Sequence, residues 1–132
     1  MVFAYQVLGM TNYCNLRCFY CDWKKEYGFP LDERHLKAAK KNILWSRDFA
    51  REEFGDYLMA VFSGGEVFLF PELVDMFLDV YADKWVRMST NGLFDRKHCL
   101  PILRRHSRLI LTASLDGFDM EGNRASQHPR GS

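Results

Sequence analysis

Four short apolar runs set the architecture of this chain: Phe3 to Met10, Tyr57 to Phe62, Trp85 to Met88 and Leu109 to Ala113. Each is short and β-prone enough for a buried strand. Each also ends in a loop of Cys, Gly, Ser, Asn or Asp: the cysteine stretch 14–21, then Ser63-Gly64-Gly65-Glu66, Ser89-Thr90-Asn91-Gly92 and Ser114-Leu115-Asp116-Gly117. Between the runs lie helical patterns. Gly28-Phe29-Pro30 breaks the chain, and Asp32 is a plausible cap for a helix carrying Leu36, Ala39, Ile43 and Leu44, extending whole or interrupted through Phe49 and Phe54 to Gly55. Pro71 suits the first turn of a second helix, with Leu73, Val74, Phe77, Leu78 and Tyr81 on its apolar side. A third covers about Asp95 to His106. Strands alternating with helices predict an α/β fold with a parallel sheet and right-handed crossovers. In such folds a site forms at the carboxyl ends of the strands. All four polar loops belong there, so they are expected to converge.

The 132 residues make one domain at most, able to bury roughly two-thirds of the unfolded surface. A net charge of +1 gives no reason to expect nucleic acid or an anionic membrane as a partner. No apolar run approaches the roughly 18 residues of a membrane span, and the N-terminus lacks the basic region and apolar core of a signal peptide. A cytoplasmic location follows as the expectation, and there thiols stay reduced. In that compartment a cysteine cluster points to metal binding or chemistry rather than disulfides. Residues 118–132 are polar and read as a loop or tail.

Three of the four cysteines, Cys14, Cys18 and Cys21, fall within eight residues. Structural zinc is normally closed by four ligands, often as two separated pairs. Cys99 stands alone inside the third helical pattern and reads as a small buried hydrophobe; neither His35 nor His98 has the usual spacing from another ligand. An iron–sulfur cubane held by three thiolates instead leaves one iron open to a small molecule. Both readings stand on the cysteines alone. In the second loop, Gly64 and Gly65 permit positive φ and close approach of a ligand, and the Glu66 carboxylate can receive an ammonium group or merely cap the next helix. The Asn-Gly and Asp-Gly loops offer groups suited to ribose hydroxyls or a carboxylate, and are also ordinary turn chemistry. Phe68, Phe70, Phe77 and Tyr81 read as packing groups, and Lys40-Lys41 and Arg104-Arg105 as solvated surface.

Taken together the loops resemble the radical S-adenosylmethionine (SAM) superfamily, over nearly the whole chain up to about Arg124. Its CxxxCxxC motif, with an aromatic before the last cysteine, matches Cys14, Cys18, Tyr20 and Cys21; its Gly-Gly-Glu matches Gly64, Gly65 and Glu66. Ser-Thr-Asn-Gly and Ser-x-Asp-Gly resemble the branch with peptide-modifying and cofactor-maturing members. The resemblance implies a partial (βα) barrel of about four parallel strands with helices on the outer face. It implies a 4Fe-4S cluster on the three cysteines and SAM chelating the open iron. Glu66, with the Gly64-Gly65 backbone, would bind the methionyl ammonium and Tyr20 would meet the adenine edge. Ser89, Asn91, Ser114 and Asp116 are candidates for the ribose and methionyl carboxylate. Reductive cleavage of SAM would give a 5′-deoxyadenosyl radical that abstracts hydrogen from a small-molecule or peptide substrate, with an electron donor such as flavodoxin or ferredoxin; no catalytic side chain is assigned beyond the cluster and SAM. The competing reading is a non-catalytic metal- or iron–sulfur-binding module, or an inactive fragment.

Two departures stand out. Val67 occupies the place where the family commonly has proline. The family core has six βα units, so residues 1–132 read as a single truncated core domain, its fourth strand lacking a covering helix: a fragment of a longer enzyme, a short form that a partner chain or oligomer completes, or a remnant that binds a cluster without turnover.

Overall fold

The computed structural model describes residues 2–7, Tyr13, Cys14, Leu16, Cys21 and 32–114. They form β1 (Val2–Val7), α1 (Glu33–Phe54), β2 (Tyr57–Phe62), a 3-10 turn (Val67–Leu69), α2 (Pro71–Val80), β3 (Trp85–Thr90), α3 (Arg96–Arg104) and β4 (Leu109–Ala113). The strands are all parallel and lie in the order β1-β2-β3-β4. This is the expected α/β architecture, a sheet that does not close, with β1 and β4 as outer strands among the described residues. The bounds of β2 and β4 match the apolar runs, and β3 extends to Thr90. Residues 8–10, Cys18, Tyr20, the 28–30 break, Asp116 and the 118–132 tail lie outside the described residues. Among those described, no helix is long and apolar enough to cross a membrane.

Helix α1 is unbroken over 22 residues. Asp32 caps it, its carboxylate accepting from the His35 amide at 2.8 Å, and Gly55 ends it at φ 68° with its N–H donating to Arg51 O at 3.1 Å. The buried stripe is Ala39, Ile43, Ser46 and Ala50, a run at the 3.6-residue repeat. Leu44 lies a hundred degrees around the helix from Ile43 and is 45% exposed, which corrects its assignment to the apolar side.

The core lies between the helices and one face of the sheet. Ala60 and Phe62 of β2 and Val86 and Met88 of β3 are fully buried there against Ile43, Phe77 and Tyr81. Phe77 stacks on Phe62 at 4.3 Å and meets Tyr81 at 4.5 Å between ring centroids, geometry that adds to the area term. The buried Tyr81 hydroxyl is satisfied by Ser46 Oγ at 2.7 Å. These contacts confirm the packing roles of Phe68, Phe77 and Tyr81. The opposite face is different. Trp85 and Arg87 of β3, in register with Met59 and Val61 of β2, are exposed, and so is Ile110 of β4 opposite Arg87. Strand alternation thus separates a covered side from an open one.

Candidate functional site

All four strands point their carboxyl ends the same way, and the loops there are joined by hydrogen bonds. The Glu66 amide donates to Tyr13 O at 2.9 Å, tying the loop after β2 to the cysteine stretch after β1. The Glu66 side chain, 1% exposed, reaches across to the end of β3. Its Oε1 accepts from Thr90 Oγ1 at 2.9 Å and from the Phe68 amide at 3.2 Å; its Oε2 accepts from the Asn91 amide at 2.7 Å. The Ser114 amide donates to Thr90 O at 2.8 Å, which brings in the loop after β4. The expected convergence is therefore a bonded network.

Its energetics centre on Glu66. Burial pushes the Glu66 carboxyl above the usual carboxylate range, and the donors from Asn91, Thr90 and Phe68 pull the other way. The capping reading of Glu66 is met at the 3-10 turn, which Glu66 caps through the Phe68 amide. Val67 begins that turn and is buried, accepting from the Phe70 amide at 3.0 Å through its carbonyl. The positive φ anticipated at Gly64-Gly65 falls elsewhere: the left-handed glycines among the described residues are Gly55 and Gly92, at φ 68° and 80°. Gly92 is the one that belongs to the site. It lets the chain turn after Asn91, and its amide donates to Thr90 Oγ1 at 3.0 Å.

Cys14 and Cys21 are half-buried free thiols. Cys14 Sγ accepts from the Leu16 amide at 3.4 Å and from Asn91 Nδ2 at 3.9 Å. Among the described residues no group of three or more His, Cys, Asp or Glu could hold a metal; the third cysteine of the motif, Cys18, is not one of those residues. Cys99 takes no part: it is in the core, donating to Phe68 O at 3.5 Å. Its thiol is pushed up to about 11, chiefly by burial and then by the nearby Asp95 and Glu66 carboxylates. Ser89 is exposed on the open face, paired in register with Thr112, and Ser114 is exposed at the end of β4.

Two contributors escaped the sequence reading. Thr90 holds Glu66, and its signal was available: it continues the buried positions Val86 and Met88 of β3, and a polar group at a buried strand position needs a partner. Tyr13 acts through its carbonyl, which no sequence pattern marks.

Over 114 residues the chain is 32% identical to a protein of Archaeoglobus fulgidus described as probable GTP 3′,8-cyclase, a match covering 86% of this chain and 36% of that protein. Over 117 residues it is 28% identical to molybdenum cofactor biosynthesis protein 1 of Homo sapiens, covering 86% of this chain and 18% of that one. The chain is homologous to both proteins over 86% of its own length. It spans about a third and about a fifth of the length of these two relatives. No family model matches it. Among solved structures, Streptococcus suis SuiB bound to S-adenosylmethionine has a TM-score of 0.69 at 18% identity, covering 94% of this chain and 27% of SuiB. SuiB bound to the precursor peptide SuiA has a TM-score of 0.63, covering 94% and 26%. This likeness shows that the chain has the fold of that part of SuiB.

Proposed function

We propose that the chain binds a 4Fe-4S cluster through Cys14, Cys18 and Cys21 and SAM beside it, as the core of a cytoplasmic radical SAM enzyme. The observation that carries this reading is the network joining the cysteine stretch, Glu66, Thr90, Asn91 and Ser114 at one end of the sheet. The donor chemistry fits: Cys14 Sγ faces two N–H groups, and a cysteine sulfur is the kind of ligand that holds an iron–sulfur cluster. When bound, the cluster and SAM supply one-electron cleavage of the sulfonium carbon–sulfur bond and hydrogen abstraction from a substrate.

The side chains of this chain bind and orient. The Glu66 carboxylate, with a single described donor on Oε2, has a lone pair for the methionyl ammonium, beside the Gly64-Gly65 backbone. An ammonium there would replace, for the charged carboxylate, the water that burial removed. Tyr20 serves the adenine edge, and Ser89, Asn91, Ser114 and Asp116 serve the ribose and methionyl carboxylate. The substrate is a small molecule or a peptide, in keeping with a relative described as a GTP cyclase and a fold neighbour bound to a precursor peptide. A flavodoxin- or ferredoxin-type protein supplies the electron. The exposed Ile110 and Leu111 of the outer strand β4 suit completion of the sheet by further chain or a partner.

Anaerobic reconstitution tests the reading. A brown protein that binds SAM and releases 5′-deoxyadenosine under dithionite is the expected result. A colourless zinc protein overturns it, and a cluster protein that binds SAM without cleavage shows a binding module.

A further inference from the structure

We propose that Asn91 is a positioning residue for the cluster, its carboxamide donating an N–H···S hydrogen bond to Cys14 that raises the reduction potential of the bound iron–sulfur group. This rests on the reading of Cys14 as a cluster ligand and goes beyond it. Asn91 lies 77 positions from Cys14 in sequence, yet its Nδ2 is 3.9 Å from Cys14 Sγ. Three anchors aim it. The Asn91 amide is held by Glu66 Oε2 at 2.7 Å; its side-chain Oδ1 accepts from the Leu93 amide at 2.8 Å; and Gly92 takes the left-handed turn between them. Occupation of Oδ1 by a backbone donor settles which way round the amide sits, so the NH2 group is the end that faces the sulfur.

The consequence is electrostatic. Reduction adds one negative charge to the cluster, shared in part by its thiolate sulfurs, and an N–H dipole directed at a sulfur stabilises the reduced form more than the oxidised form. The site is half-buried, so the dipole acts through a medium less polarisable than water. The Leu16 amide makes a similar contact at 3.4 Å, but as a backbone group it is the same for any side chain there. Asn91 is the donor that sequence can change.

The test is a redox titration, monitored by electron paramagnetic resonance, of the reconstituted chain without SAM, beside Asn91→Ala and Asn91→Asp. The Asp variant keeps the acceptor for Leu93 and puts an oxygen where the donor was. The expected result is a lower midpoint in both, larger for Asp. There the reduced-to-oxidised ratio at a fixed potential falls about tenfold, equivalent to about 59 mV for one electron. Should Asn91→Ala not fold, Asn91→Ser, which retains a short acceptor for the turn, is measured in its place. Midpoints equal to wild type overturn the proposal. So does loss of the cluster from every variant with the circular dichroism unchanged, because Asn91 would then govern assembly. Failure of the underlying reading looks different: wild type forms no cluster, or Cys14→Ala keeps one.

Discussion

The two ends of the sheet use similar polar residues to opposite effect. At the carboxyl ends of the strands, Glu66 and Thr90 are buried, and the hydrogen bonds from Thr90 and Asn91 to Glu66 join the loop after β2 to the end of β3. At the amino ends, Arg47, Arg51, Asp56, Tyr57, Asp83 and Lys84 line an open pocket of about 230 Å³. The ion pair there, Lys84 to Asp56 at 2.8 Å, leaves the Asp56 side chain 84% exposed. Solvated pairs contribute little to stability, whereas a buried polar network is costly to break, since removing one member strands the others. The difference teaches that the carboxyl end is organised to hold groups in place, while the amino end is ordinary surface.

The largest expected effect belongs to the carboxyl end. Cys14→Ala and Cys18→Ala abolish cluster binding, read as iron per chain after reconstitution, while Cys99→Ala retains the cluster and loses only packing; the reverse outcome would sink the ligand assignment. Next comes the layer common to both ends. Phe77→Ala removes a fully buried ring stacked on Phe62 and costs about 3–5 kcal/mol in denaturant unfolding, much of the stability of a domain this size. Glu66→Gln follows, at about 1–3 kcal/mol, because an amide turns an N–H toward one of three donors that now share the carboxylate. It should also weaken SAM binding, measured by equilibrium dialysis.

The ends also carry opposite pH signatures. Folded Glu66 keeps its proton to higher pH than the unfolded group near 4.5, so its contribution is present at low pH and is lost as pH rises from there through its raised folded value. Asp56, held low by its hydrogen bond to Lys84, contributes above about 3.8 and loses that contribution as pH falls. Melting temperatures across pH for wild type, Glu66→Gln and Asp56→Asn separate the two slopes; a slope unchanged in its own variant refutes that assignment. The smallest effect is Asp56→Asn at neutral pH, where the denaturation midpoint falls slightly, and by less than in Glu66→Gln, because the pair is solvated.

Much of the fold was legible because its signals are local. The alternation of apolar runs placed β2 and β4, the Asp32 and Gly55 caps bounded α1, and Pro71 opened α2. Leu44 misled because apolar residues also occur on a helix's outer side, and only the stripe packed against α2 defines the inner one. The site was legible as four loops at one end of a parallel sheet, but its connections were not.

What the sequence by itself determined is the βα rhythm, the cysteine spacing and the set of chemical groups available at the strand ends, all properties of neighbours along the chain. The tertiary structure alone decided that Glu66 is buried, that Thr90 secures it, and that Asn91 turns its amide to Cys14. Those bonds span 24, 25 and 77 residues. No local pattern encodes such separations; parallel strand order brings the loops together, and burial then requires their polar groups to pair.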